Sequence, residues 1–147
     1  IKENNSEIMV VDDYAHHPTE VNATITAAKT GWKKKIVSVF QPHLFTRTRD
    51  FYKEFAESLF QSDYIIITDI YPAREEPIKG INSQLIVKEL KRLGHQNIIY
   101  IDNLTELNGT LDNLGLDNHM VITMGAGDIW RYNDEYNAHL IKKNRAT

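Results

Sequence analysis

The sequence predicts one α/β domain, in which helices cover both faces of a mostly parallel sheet. Its 147 residues are the usual length of a single domain. Five short apolar runs rich in Val and Ile occur along the chain, as expected of strands that are buried on both faces. Segments with helical periodicity separate these runs, and strand–helix alternation repeated in this way is typical of a parallel sheet.

The predicted strands are the apolar runs themselves. No internal repeat and no Gly/Pro-rich linker separates them, so they are assigned to one domain. Their order within the sheet is not predicted. The five runs are Ile8–Val11, Ile36–Phe40, Tyr64–Thr68, Ile98–Ile101 and Met120–Met124.

The predicted helices are the amphipathic segments between and after the strands. The first carries Val21, Ile25 and Ala28 on one face, with Pro18 suited to its first turn and Gly31 to its end. Apolar stripes at this spacing are interpreted as core faces. The other helices are bounded by Thr46 or Thr48 at the start of the second, Asn82 or Ser83 and Gly94 at the ends of the third, Gly115 at the end of the fourth and Asp128 near the start of the fifth.

The composition argues against several classes of protein. Lys and Arg total 17 against 20 Asp and Glu, and this net charge of -3 does not indicate a nucleic-acid surface. The absence of cysteine excludes disulfides and thiol catalysis. No apolar run approaches the ~18 residues of a membrane span. Because the first residue is Ile1 rather than Met, we expect the sequence to be a piece of a longer protein.

Reactive side chains follow the strands, and open α/β sheets bind their ligands at the carboxyl ends of the strands. The densest cluster is Asp12–Pro18, which contains two carboxylates and two imidazoles. It is compatible with a turn formed by Asp12 or Asp13 and a helix cap at His17. It is also compatible with a metal site or with a nucleotide site, and the residues alone leave these alternatives open. The remaining histidines are interpreted as surface or capping residues: His95, His119 and His139.

Two arginines follow the second predicted strand. Arg47 and Arg49 stand near a helix start, where an anion would also gain from free N–H groups and from the helix dipole. The planar fork of arginine suits a carboxylate or a phosphate. The alternative is a surface arginine paired with Asp50 or Glu54.

Taken in order, the segments after the strands resemble the C-terminal domain of the Mur ligases of bacterial peptidoglycan synthesis. The resemblance spans nearly the whole chain. It is most specific to the members that add L-alanine, through the His-His-Pro-Thr-Glu and Phe-Gln-Pro-His stretches. The matching segments are Asp12–Glu20, Phe40–His43 with Thr46–Thr48, Asp69–Ala73 and Gly125–Ile129.

The resemblance implies a Rossmann-like fold and an ATP-dependent ligase of three domains, of which residues 1–147 form the third. An N-terminal domain for the UDP-sugar and a central domain with the P-loop and the Mg²⁺ ligands are expected outside this sequence. The implied reaction converts the lactyl carboxylate of UDP-N-acetylmuramic acid to an acyl phosphate, which L-alanine then attacks. The implied location is cytoplasmic, the implied partner is the enzyme's own central domain, and neither nucleic acid nor membrane is expected. This domain alone is expected to be inactive.

The resemblance also implies roles for individual residues. Asp13 is expected to contact the nucleotide, together with Tyr14 and His16. His43 and Arg47 are expected to bind the amino acid, and Arg47 is expected to pair with its carboxylate. Tyr14 is also expected to line the substrate side of this gap.

Two further implications concern catalysis and departures from the family pattern. His16 is expected to donate to phosphate or to the developing oxyanion, so that His16, His43 and Arg47 are the candidate catalytic residues. Leu44 stands where some members have a basic residue. The segment Arg74–Glu76 also departs from the pattern, and no role is assigned to it. No metal ligand is assigned in this sequence.

Two other classes of protein compete with this interpretation. A phospho-receiver signalling module would place an acidic pocket at Asp12, Asp13 and Asp69, although it requires a lysine after strand five, where the chain continues Met124-Gly125-Ala126. A plain dinucleotide-binding module is opposed because the third glycine of its fingerprint would fall at Trp130. The sequence contains no P-loop either.

Overall fold

The computed structural model describes residues 1–4 and 6–145. Within them, five strands alternate with five α-helices, as the apolar runs and stripes predict. The elements are β1 (Met9–Asp13), α1 (Pro18–Gly31), β2 (Lys35–Phe40), α2 (Phe45–Leu59), β3 (Tyr64–Thr68), α3 (Gln84–Arg92), β4 (Ile98–Ile101), α4 (Leu107–Asn113, after a short 3₁₀ turn at Leu104–Glu106), β5 (His119–Met124) and α5 (Ile129–Arg145).

All five strands are parallel, in the order β1-β5-β2-β3-β4. Strand β5 therefore lies between β1 and β2, which brings the last strand of the chain between the first two. Asp13 at the end of β1 is level with Met124, and Met124 is level with Phe40 at the end of β2. The segments that follow β1, β2 and β5 consequently leave the sheet side by side.

Helices cover both faces of the sheet, as predicted. On one face α1, α2 and α3 pack against the strands, with Ile25, Phe55 and Leu90 fully buried. On the other face α4 and α5 pack through Leu111 and Tyr136. The central strands β2, β3 and β5 are buried on both faces, so successive residues are apolar, and this produces the continuous runs in the sequence.

The start of α2 differs from the prediction that Thr46 or Thr48 caps it. The helix begins at Phe45, after Leu44, which has a φ of 73° and makes no capping hydrogen bond through its side chain. The free N–H groups of Phe45 and Thr46 instead donate to the carboxylate of Glu75, at 2.5 and 3.2 Å. A side chain from the segment after β3 therefore caps a helix that begins 30 residues earlier in the chain.

The other helix starts involve residues nearer in sequence. The carboxylate of Glu20 accepts from the backbone N–H groups of His16 and His17, so His17 is the N-cap of α1, as one interpretation of the sequence proposed. At α3, the Asn82 side chain accepts from the N–H of Gln84. In the described ranges, no helix has both the length and the apolar character needed to span a membrane.

Candidate functional site

The residues expected at the site converge at the carboxyl edge of the sheet. His16 follows β1 and His43 follows β2, and their ring centroids are 6.1 Å apart although β5 lies between the two strands. Backbone hydrogen bonds extend the sheet at this edge, because Gly125 N–H donates to Asp13 O at 3.3 Å and Gln41 N–H donates to Met124 O at 3.0 Å. The segments that carry the predicted residues are thereby fixed next to one another.

Asp13 holds the turn after β1. Its Oδ1 accepts from the N–H of Ala15 at 2.9 Å, and its Oδ2 accepts from the hydroxyl of Thr24 at 3.0 Å. The turn interpretation of the acidic pair is therefore confirmed for Asp13. Each carboxylate oxygen can accept a further hydrogen bond, so this structural role is compatible with a ligand contact.

Tyr14 and His16 form the outer part of the site. The side chain of Tyr14 is 69% exposed, and its ring lies edge-on to that of His16 with centroids 5.2 Å apart. His16 Nδ1–H donates to the carbonyl oxygen of Tyr14 at 2.8 Å, so the ring proton of the neutral form resides on Nδ1. Nε2 of His16 can consequently donate to a ligand only when the ring is an imidazolium. Glu20 Oε1 lies 3.6 Å from Nδ1.

His43 is held by a neighbouring aromatic ring. It stacks on Tyr71, with centroids 5.8 Å apart and ring planes 18° apart. Burial, together with the nearby charges of Arg47 and His16, lowers the pKa of His43 below its ordinary value, whereas the carboxylate of Glu75 acts in the opposite direction. The ring is therefore neutral at pH 7 and retains one nitrogen that can accept a proton.

Two enclosed polar atoms at this point lack a hydrogen bond. They are Nδ1 of His43 and Nη1 of Arg47, neither of which has a partner in residues 1–4 and 6–145. An enclosed polar group without a hydrogen bond is destabilising, and such groups are rare in folded proteins. Their occurrence on two interacting side chains identifies a position where a ligand with an acidic group would gain hydrogen bonds.

Arg49 differs from Arg47. Its Nε donates to Asp50 Oδ1 at 2.8 Å, as the surface-pairing interpretation proposed, and this pairing raises the pKa of Arg49. Both arginines lie in the first turns of α2, but Arg47 forms no ion pair with a carboxylate among the described residues. Arg47 is therefore the candidate for binding an external anion.

Sequence reasoning assigned no role to three residues at this site. Glu75 caps α2, Tyr71 stacks on His43, and Gln41 caps α5 by accepting from Ile129 N–H at 3.2 Å while donating to Asp128 Oδ1 at 2.7 Å. No short-range pattern indicates these contacts. The sequence feature that could have pointed to these residues is their position in segments that follow predicted strands.

The glycines after β5 serve the protein's own packing. A β-carbon on Gly127 would lie 2.5 Å from Tyr71 Cγ and 2.7 Å from Gln41 Oε1. The space beside the backbone of Gly127 is therefore filled by the side chains of Tyr71 and Gln41 and not by a ligand. A cleft of about 430 Å³ adjoins it, at the ends of β3 and β4. Its lining includes Asp69 and Asp102.

The acidic pocket required by the phospho-receiver alternative is not formed. Asp12 Oδ1 accepts from the Thr123 hydroxyl at 2.7 Å, and Asp69 accepts from the hydroxyl of Tyr100, whose pKa is raised to about 12 mainly by burial. In the part of the chain that the structure describes, no three His, Asp or Glu side chains are grouped so that they could hold a metal ion. The edge position of β1 also differs from the strand order of receiver-type sheets.

The remaining histidines lie away from this edge. His95 Nε2–H donates to Ser62 O at 2.7 Å, and His139 is paired with Asp112 at 2.7 Å. The interpretation of His119 as a surface or capping residue is wrong, because it is the first residue of β5 and only 2% exposed. Burial lowers its pKa.

The fold and this edge define a Rossmann-like enzyme domain that presents imidazole and guanidinium groups to an anionic ligand. The family model described as "Mur ligase, glutamate ligase domain" matches residues 1–127. The chain belongs to this family of Mur ligase C-terminal domains.

Named relatives agree with this assignment. The UDP-N-acetylmuramate–L-alanine ligase of Geotalea uraniireducens is 44% identical over 125 residues, which are 85% of this chain and 27% of that protein. The crystal structure of a UDP-N-acetylmuramate-alanine ligase from Thermotoga maritima matches 97% of this chain and 29% of its own, with a TM-score of 0.75 and 26% identity.

A third relative is a single domain. The crystal structure of a domain from a UDP-N-acetylmuramate:L-alanyl-γ-D-glutamyl-diaminopimelate ligase of Haemophilus ducreyi matches 95% of this chain and 97% of its own, with a TM-score of 0.67 and 27% identity. The chain thus spans little more than a quarter of its full-length relatives and nearly all of this one.

Proposed function

We propose that this chain is the C-terminal domain of an ATP-dependent ligase that joins L-alanine to the lactyl carboxylate of UDP-N-acetylmuramic acid. The similarity to alanine-adding ligases supports the choice of substrates. The observation that carries the role of this domain is the pair of enclosed, unpartnered atoms on His43 and Arg47.

Arg47 and His43 bind the incoming L-alanine in this proposal. The alanine carboxylate accepts hydrogen bonds from the guanidinium of Arg47, which pairs with no carboxylate in the described part of the chain. The neutral ring of His43 accepts a proton from the alanine ammonium group, which must lose one before it can attack. Orienting the amine towards the acyl phosphate is the catalytic contribution of this pair.

Asp13, Tyr14 and His16 serve the nucleotide side. The exposed ring of Tyr14 offers a face for a planar base, and Asp13 retains lone pairs for ribose hydroxyls. When its ring is protonated, His16 donates from Nε2 to a phosphate oxygen or to the oxyanion of the tetrahedral intermediate, since Nδ1 is bonded to the Tyr14 carbonyl.

The rest of the catalytic apparatus belongs to other domains of the parent enzyme. A central domain is proposed to supply the P-loop and the Mg²⁺ ligands, and an N-terminal domain to bind the UDP-sugar. The described residues do not include a cluster of three His, Asp or Glu side chains that could bind Mg²⁺. The proposal includes a cytoplasmic location, since its substrates are nucleotide-linked precursors, and an isolated domain without ligase activity.

Replacing Arg47 by lysine in the full-length ligase tests the proposal. Lysine retains the charge but loses the two parallel hydrogen bonds, so we expect a higher KM for L-alanine and a lower kcat for ligation. Formation of the acyl phosphate precedes amine attack and should be spared. Trapping the acyl phosphate and measuring ligation separately distinguishes the two steps.

Arg49→Lys is the matched control, because Arg49 lies on the same helix but pairs with Asp50. It should leave the KM for L-alanine unchanged. If Arg47→Lys reduces acyl phosphate formation as steeply as ligation and the KM for alanine stays constant, then Arg47 serves the phosphates and the amino-acid assignment is wrong.

A further inference from the structure

The turn between His43 and Arg47 has an unusual backbone. Leu44 adopts φ 73° and ψ 139°, a region that non-glycine residues rarely populate. Such a conformation persists only where surrounding contacts hold it in place. The turn directly determines the direction of His43, on its N-terminal side, and of Arg47, in the first turn of α2.

Glu75 holds this turn through three hydrogen bonds. Its Oε1 accepts from the N–H groups of Phe45 and Thr46, and its Oε2 accepts from the Thr46 hydroxyl. These bonds lower the pKa of Glu75, so the carboxylate is ionised at neutral pH. A negative charge at this position also complements the positive end of the α2 dipole.

The segment that carries Glu75 holds the turn at a second point. Tyr71 N–H donates to Pro42 O at 2.8 Å, and Leu44 N–H donates to Tyr71 O at 2.9 Å. The ring of Tyr71 stacks on His43. The segment after β3 therefore contacts the turn on both sides: Tyr71 packs on His43, and Glu75 accepts hydrogen bonds from the start of α2.

We propose that Glu75 is a positioning residue for the amino-acid step, because its carboxylate fixes the turn from which His43 and Arg47 project. This inference rests on the proposed function. Glu75 occupies the N-terminus of α2, so the alanine carboxylate is excluded from those N–H groups. The carboxylate must then bind to the side chain of Arg47, whose direction Glu75 sets. Glu75 does not contact the substrate itself.

The test compares Glu75→Ala, Glu75→Gln and Glu76→Gln in the full-length ligase. Glutamine retains an acceptor for the two N–H groups but loses the charge, whereas alanine removes the cap. Glu76 is exposed and lies next to Glu75, which makes Glu76→Gln the matched control. We expect Glu75→Ala to raise the KM for L-alanine about tenfold and Glu75→Gln about threefold, as the loss of charge-assisted and ordinary hydrogen bonds predicts. Acyl phosphate formation should be unchanged in all three.

A titration of His43 by NMR in the 147-residue chain gives a second measurement that does not depend on ligase activity. The charged groups that act on His43 are Arg47, His16 and Glu75, and only Glu75 opposes the lowering of its pKa. Glu75→Gln should therefore lower the pKa of His43 further. Glu76→Gln should not change it.

The outcomes separate this inference from the proposed function. If Arg47→Lys raises the KM for alanine while neither Glu75 variant does, Glu75 only caps the helix and the inference is wrong. A loss of acyl phosphate formation equal to the loss of ligation in folded Glu75→Gln also overturns it. If Arg47→Lys and both Glu75 variants leave the KM unchanged, the amino-acid site itself is wrong.

Discussion

The ring of Tyr71 lies directly on the backbone of Gly127, where a β-carbon would be 2.5 Å from Cγ of the tyrosine. The same ring stacks on His43, with centroids 5.8 Å apart. A side chain at position 127 would overlap the ring of Tyr71, so this position requires glycine. Tyr71 in turn packs on His43, a candidate substrate-binding residue.

Gly127→Ala should destabilise the chain and displace His43. A new methyl group would overlap the Tyr71 ring, which also stacks on His43, and overpacking of this kind costs about 1–3 kcal/mol. The free energy of unfolding, from urea titration of the 147-residue chain, measures the loss.

Gly109→Ala is the matched control for that variant. Gly109 lies within α4, and a β-carbon there would meet nothing within 4 Å. Alanine in a helix interior stabilises by roughly 0.5–1 kcal/mol over glycine, so the two changes should have opposite signs. Equal stability of both variants would show that Tyr71 is not held against Gly127.

Asp13→Asn should have two separable effects. In the 147-residue chain it weakens the turn, since one of the two acceptors for Ala15 and Thr24 is lost, at a cost of about 0.5–1.5 kcal/mol. In the full-length ligase the loss of charge should raise the KM for ATP, by a factor that corresponds to roughly 1.5–3 kcal/mol for a charged hydrogen bond.

Thr24→Val separates these two effects. It removes the hydroxyl that donates to Asp13 and leaves the carboxylate in place. It should reproduce the loss of stability without the change in KM. If both variants alter ATP use equally, Asp13 acts through the turn and does not contact the nucleotide.

The stability of the chain should decrease in mild acid through His119. Burial lowers its pKa below the ordinary value of 6.5, so the unfolded state binds more protons than the folded state as the pH falls through 6.5. The free energy of unfolding therefore rises with pH in this window. His119→Asn, which does not titrate, should show a shallower slope between about pH 7.5 and 5.5 in urea titrations. An unchanged slope would contradict the assignment.

The 147-residue chain should fold by itself and lack ATPase activity. Its helices bury both faces of a complete five-stranded sheet, and the single-domain structure from Haemophilus ducreyi has the same extent. We expect one cooperative thermal transition in the near-UV circular dichroism. ATP hydrolysis that persists through repeated purification would contradict the proposal that the central domain supplies the P-loop.

Much of the site could be predicted because it depends on local sequence. The apolar runs give the ends of β2 to β5, whereas β1 continues past the predicted Val11 to Asp13. Ligand sites of such sheets lie beyond the strand ends, so the convergence of the candidate residues His16, His43 and Arg47 on one edge required no strand order. The cap of α2 could not be predicted in this way. Thr46 and Thr48 have the right side chains, but the backbone at Leu44 directs the N–H groups towards Glu75 instead.

The sequence by itself determined the elements of this protein, the burial of the central strands on both faces and the edge that carries the candidate site. These follow from residues near one another in the chain, since periodicity records which faces are buried. The tertiary structure decided that β5 lies between β1 and β2, that Tyr71 stacks on His43 and that Glu75 caps α2. Such contacts join segments about 30 residues apart or more, and their formation depends on how all five strands assemble, which no local pattern specifies.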